Sequence, residues 1–281
     1  MKKINLAYKR TKLEDLLKFF RPNSDYYSTL INEKQRILNE IAKGILTVDD
    51  AKKELDDIEK KLFQPYSSFS DKKNGNSFEF IRELGISFCP YCNINDVYAV
   101  INEKDEKICR PDIDHFLPKS DFPKLQLELE NLVPSCLMCN QRLKGKTPFS
   151  NRKYLNPYRE DFDSIMEIKL DLNGPNYLSE DNFKIIFVKR KGANPAKVKK
   201  AKNNIGVFKL DDRYQYYKNE IIPIMKNIAF YKHAKRQEIE NLFNQNYCVP
   251  FRIILLPEEN CEINKTRLGK LKRDVIKALL D

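Results

Sequence analysis

The residues best suited to chemistry lie between positions 89 and 146. Two C-x-x-C pairs, Cys89-Pro90-Tyr91-Cys92 and Cys136-Leu137-Met138-Cys139, are separated by 43 residues. Between them stand Asp114-His115 in "DIDHFLPKS" and Asn131 in "ENLVPSC", and Asn140 follows the second pair directly. Taken alone, CPYC reads as a redox motif. That chemistry needs a helix starting at the first thiol to lower its pKa. Here the following "NINDVYAVINEKDEKICR" alternates like a strand, turns at "NEKDEK" and enters a second strand. Four thiolates from two tight turns are instead the donor set of a tetrahedral structural zinc. His115 and His233 are the only histidines, so a zinc site in this chain has to rely on thiolate. Cys109, Cys248 and Cys261 have no partner at ligand spacing and read as buried, inert thiols.

Hydrolysis of a phosphodiester requires a base for the attacking water, a cation to neutralise phosphate charge and basic groups to hold the backbone. Imidazole suits a base working near neutral pH, which makes His115 the candidate. Asp114 and the carbonyl of Asn140 are hard oxygen donors, a set that favours Mg²⁺ or Mn²⁺ over zinc. Arg142, Lys144 and Lys146 follow Asn140 on the same expected helix and, with Lys119, are placed to meet phosphates. His233, in "YKHAKRQ", reads as a surface helix residue. "NQRLKGKT" is not a phosphate-binding P-loop, because Asn140 stands where that loop needs glycine. No His-x-Glu accompanies the cysteine pairs, which disfavours a zinc deaminase.

Over residues 85–150 the order of these motifs resembles the HNH endonucleases of the ββα-metal fold. The resemblance implies that one strand carries Asp114-His115, a second strand begins near Asn131, and a helix carries Asn140, with a two-knuckle zinc site bracing the unit. It implies His115 as general base, Asp114 and Asn140 as ligands of a catalytic Mg²⁺ or Mn²⁺, and Asn131 as the residue that fixes the geometry around His115. Position 140 departs from the family name, whose third letter is a histidine, and so removes a nitrogen ligand. The implied reaction is hydrolysis of DNA to a 5′-phosphate and a 3′-hydroxyl. The chain is also similar to nucleases of bacterial restriction and anti-phage defence, some of which work beside an ATPase, so DNA and an ATPase or other defence-system subunit are the expected partners. Two alternatives stay open: a non-catalytic zinc module that binds nucleic acid, and an HNH nuclease acting on RNA.

The rest of the chain has to position these residues. It has 281 residues, 41% of them hydrophobic, enough for a sizeable core. A net charge of +11 favours polyanionic partners, nucleic acid first. No signal sequence and no apolar run of membrane-spanning length is visible, so the expected setting is the cytoplasm. Apolar periodicity predicts helices from residue 11 to about 65, with Thr47 and Asp50 as a capping pair, read as a scaffold without chemistry of its own. Gln64 to Ser77 reads as a linker. "FKIIFVKRKG" reads as a strand, Lys189 to Lys202 as a basic stretch that forms backbone contacts or a solvated loop, and the remainder as helical. The expected fold class is α+β: a zinc-braced ββα-metal core at 81–158 between a helical region at 1–80 and a mainly helical α+β region at 159–281.

Overall fold

In a computed structural model that describes residues 1–23, 25–174, 178–233, 241 and 256–280, the chain is α+β. The N-terminal helices are α1 (Arg10–Lys18), α2 (Tyr26–Ala42), α3 (Val48–Ser70) and α4 (Ser77–Leu84). Thr47 caps α3 as expected, its side chain accepting from the Asp50 amide at 3.2 Å. Helix α3 runs past Pro65, and the expected linker shrinks to residues 71–76. The physical reason is the apolar stripe of Ile58, Leu62, Pro65 and Phe69, which keeps helical spacing and buries Phe69 against Phe20 and Phe80. Helices α2 and α3 form a hairpin with its own small core of Tyr27, Ile37, Ala51, Ile58 and Leu62.

The middle of the chain holds two short antiparallel hairpins. Strands β1 (Val100–Ile101) and β2 (Lys107–Cys109) are the pair read from the alternation after CPYC. Strands β3 (Asp112–His115) and β4 (Leu132–Ser135) pair from Asp112 opposite Ser135 to His115 opposite Leu132. A π-helix, Met138–Lys144, follows β4 and completes the ββα unit, closing with Gly145 N–H donating to Asn140 O at 2.9 Å.

Beyond it come α5 (Phe162–Ile165), a hairpin of β5 (Met166–Leu172) and β6 (Phe183–Lys189), then α6 (Pro195–Val207), α7 (Leu210–Gln215), α8 (Ile222–His233) and α9 (Gly269–Leu280). Strand β6 is the one expected from "FKIIFVK". Most of the basic stretch is helix: Asn194 caps α6 through its side chain and Pro195 takes the first helical position. One cluster of buried residues runs from Met1 to Ile276, across both boundaries drawn from the sequence. No described helix is long and apolar enough to cross a membrane.

Candidate active site

The Sγ atoms of Cys89, Cys92, Cys136 and Cys139 all lie within 4.8 Å of one another, and all four side chains are buried. Thiolates about 2.3 Å from a tetrahedral zinc stand roughly 3.8 Å apart, and Cys92 Sγ and Cys136 Sγ are 3.9 Å apart. Each pair sits on a tight turn, with Asn93 N–H donating to Cys89 O at 2.7 Å and Cys139 N–H to Cys136 Sγ at 3.4 Å. No helix begins at Cys89. The donor set and its spacing therefore fit structural zinc and not the redox motif. A Zn(Cys)₄ group carries net negative charge, and Arg213 of α7 donates to Cys139 Sγ at 3.4 Å. The C-terminal region also grips the first knuckle: Tyr214 Oη donates to Cys92 O at 2.8 Å, and the Asn93 amide donates to Ile263 O and accepts from Lys270 N.

The expected inert cysteines differ in their surroundings. Cys109 is exposed, because the last two residues of β2 face solvent at the edge of a two-stranded ribbon. Cys261 is half-buried and donates to Gly269 O at 3.4 Å. Cys248 and the side chain of His233 lie outside the described residues.

Beside the zinc site a cleft of about 730 Å³ is lined by Arg110, Asp112, Asp114, His115, Lys119, Asn140, Lys144 and Lys146, among others. Two periodicities bring the polar groups together. Asp112 and Asp114, two apart on β3, share a strand face, while Asn140 and Lys144, four apart on the π-helix, present to that face. Asn140 Nδ2 donates to Asp112 Oδ2 at 3.1 Å, and Lys144 Nζ donates to Asp114 Oδ1 at 2.6 Å. Asp114 Oδ2 accepts from Tyr91 Oη at 2.7 Å. Burial and the Asp114 charge push the Tyr91 hydroxyl well up, so it stays protonated and donates.

His115 points away from this pair, as alternation along a strand requires. Its Nε2 lies 3.0 Å from Gln126 O. A carbonyl only accepts, so the neutral ring carries its proton on Nε2 and leaves Nδ1 as the basic atom. The ring packs edge-on against Tyr66 of α3, with centroids 4.4 Å apart. Burial, with Lys119 and Lys144 nearby, pushes the His115 pKa down to about 4, so the ring is neutral at pH 7.

Asn131 is buried and holds the loop that follows His115. It accepts from Leu117 N at 2.6 Å and donates to Leu117 O and Leu125 O. It acts on the backbone two residues beyond His115 and makes no hydrogen bond to the ring. Of the four expected phosphate contacts, Arg142 and Lys146 are exposed. Lys119 is half-buried over the rings of Phe63 and Tyr66, with Nζ 4.9 and 4.8 Å from their centroids. Lys144 is 4% exposed, and its ammonium is taken up by Asp114, by His115 O at 2.6 Å and by the face of Phe149. It is a buried counter-ion and not a surface cation.

The cleft also fits a hard divalent cation. Each carboxylate oxygen of Asp114 has one protein donor, and a carboxylate oxygen offers about two acceptor positions. The Asn140 side-chain oxygen, Oδ1, has no hydrogen bond among the described residues, because Nδ2 is the atom turned to Asp112. Asp112 is a cleft residue that the sequence reading passed over, although its place two before Asp114 on one strand was a usable signal. Tyr91, Gln126, Tyr66 and Arg213 carried no local signal. Helix α3, read as scaffold alone, supplies Tyr66 to the His115 pocket, and the hairpin anchors Gln126 through Tyr27 Oη and Leu62 O.

Residues 89–146 match the HNH endonuclease family. The match begins at the first zinc cysteine and ends at Lys146, so it encloses both knuckles, β3, β4 and the π-helix. A stretch of 92 residues is also 32% identical to the Septu protein PtuB of Bacillus thuringiensis, covering 30% of this chain and 32% of that protein. The likeness thus spans about a third of that relative's length. No solved structure matches the chain. The matched unit occupies the middle of the chain, and α1 to α4 and α5 to α9 lie outside the family match.

Proposed function

We propose that this chain is a metal-dependent HNH endonuclease that hydrolyses DNA. The observation that carries the reading is that Asp114, His115 and Asn140 line one cleft, on the strand and helix that follow the cysteine knuckles. Asp114 and Asn140 are the residues that would hold Mg²⁺ or Mn²⁺. When bound, that ion supplies charge neutralisation at the scissile phosphate and at the leaving 3′-oxygen. Nδ1 of His115 takes the proton of the attacking water. The neutral ring is ready to accept it, and an anionic phosphate entering the cleft raises its proton affinity from the depressed value of the empty site. Lys119 and the exposed Lys146 and Arg142 hold the nucleic-acid backbone. Asn131 keeps the loop after His115 in place.

A setting in anti-phage defence is supported by the likeness to the Septu protein, and the proposal extends to a cytoplasmic location with an ATPase or other defence-system subunit beside the nuclease. Supercoiled plasmid incubated with wild type and with His115→Ala, each with Mg²⁺, Mn²⁺ or EDTA, tests the reading. Wild type nicks or linearises DNA only with metal, and His115→Ala is slower by roughly 10²- to 10⁴-fold. DNA binding by both proteins without cleavage by either would replace the nuclease with a zinc-containing binding module.

A further inference from the structure

The CPYC motif leaves its tyrosine without a role in the zinc site. Tyr91 lies between two buried thiols and is itself 2% exposed. Its ring is stacked on Phe208, with centroids 4.6 Å apart and planes 21° from parallel, and meets the edge of Phe149. Apolar packing would be served as well by phenylalanine. Among the described residues the hydroxyl has one hydrogen-bond partner, Asp114 Oδ2, 23 residues along the chain and on the strand that lines the cleft. The second oxygen of the same carboxylate is held by Lys144, which arrives from the π-helix that starts at the second knuckle. Asp114 is therefore held at both oxygens by residues of the two segments that carry the cysteine pairs: Tyr91 within the first pair and Lys144 at the end of the helix that starts in the second.

We propose that Tyr91 is a positioning residue for the catalytic carboxylate: its hydroxyl carries the rigidity of the first zinc knuckle to Asp114 and holds that carboxylate ready for the divalent cation. This rests on the nuclease reading above. Groups that hold a metal-binding side chain by hydrogen bonding change metal affinity or activity by 10- to 100-fold when removed, because an untethered carboxylate loses rotational freedom on binding.

The variant that tests this is Tyr91→Phe, which deletes one oxygen and keeps the stacked ring. Zinc content is read by atomic spectroscopy, Mn²⁺ affinity by electron paramagnetic resonance titration, and plasmid cleavage at saturating Mn²⁺. The expected result is unchanged zinc content with Mn²⁺ affinity weaker by 10-fold or more and slower cleavage. In an Asp114→Asn background Tyr91→Phe adds nothing further, because both changes act through one carboxylate. A purely structural hydroxyl would lower the melting temperature and leave Mn²⁺ affinity and cleavage of the folded protein within twofold of wild type, which would overturn the proposal. Should Tyr91→Phe fail to fold, Phe208→Leu loosens the stacked ring and leaves the hydroxyl in place. Weakened Mn²⁺ binding with zinc retained supports the role, and unchanged binding overturns it. Wild type that neither binds Mn²⁺ nor cuts DNA defeats the nuclease reading and this inference together, whereas wild type and Tyr91→Phe that cut equally defeat this inference alone.

Discussion

The four-cysteine site and the cleft next to it present potential metal donors in opposite ways. At the knuckles four thiols are buried and close on one another, Arg213 faces them, and the C-terminal helices cover them. In the cleft the oxygen donors line a space of about 730 Å³; Asp114 is itself buried, and the hydrogen bonds that hold the donors leave acceptor positions free. A closed donor set makes a structural metal part of the fold, and an open one leaves room for substrate and water. The two sites are about one side chain apart: Tyr91 belongs to the knuckle through its backbone and to the cleft through its hydroxyl.

The contrast is easiest to break from the closed side. Structural zinc is worth roughly 10–16 kcal/mol in zinc-finger peptides. Cys139→Ser should therefore lose both the zinc and the cooperative unfolding transition, measured by metal content and circular dichroism, with cleavage lost as a consequence. EDTA treatment mild enough to leave the zinc in place should stop cleavage and leave the circular dichroism spectrum unchanged. A Cys139→Ser protein that still folds and cuts would show that the knuckles are not what holds the cleft.

Lys144 sharpens the comparison from the other side. It sits on the expected DNA-binding helix, yet its ammonium is a buried partner of Asp114. Removing one member of a buried ion pair strands the other, at a cost of about 3–5 kcal/mol. Lys144→Met should lower unfolding stability in urea by that amount, while Arg142→Met, exposed on the same helix, should change it little. Equal effects of the two would mean that the Lys144–Asp114 pair is not maintained in solution.

The smallest effect concerns His115. Its folded pKa of about 4 lies below the ordinary histidine value of 6.5, so the unfolded chain takes up the proton first as pH falls. The stability supplied by the neutral buried ring is complete above pH 6.5, declines between pH 6.5 and 4, and is gone below. Over that window the loss reaches roughly 3 kcal/mol at most. Urea midpoints of wild type and His115→Gln, taken at pH 7, 6, 5 and 4, should converge as the pH drops. Parallel curves would place His115 in a solvated position.

Residues whose placement follows from local spacing were legible without a structure. C-x-x-C turns direct two thiols to one side, and Asp114-His115, Asn131 and Asn140 follow the order that a strand, a returning strand and a helix impose. The capping of α3 by Thr47 and the strand at Phe183–Lys189 are of the same kind. The extent of α3 was misread because Pro65 weakens a helix locally, whereas the burial of Phe69 that extends it depends on partners outside the helix. The loop alternative for Lys189 to Lys202 rests on a run of lysines that looks solvated, and it fails because Asn194 and Pro195 start a helix with a buried face of Val198, Ala201 and Ile205.

The sequence alone determined the groups available to this protein: four thiols at zinc-ligand spacing, an imidazole, hard oxygen donors and an excess of basic residues, in an order that only a few topologies satisfy. The tertiary structure decided which of those groups act on one another. Tyr91 reaches Asp114, Arg213 the thiolates, Gln126 the imidazole and Lys144 a buried carboxylate. The reason is physical. Spacing along a strand or helix sets only the direction of a side chain, whereas a hydrogen bond between distant segments depends on how the whole core brings them together, and that is a property of packing across the chain.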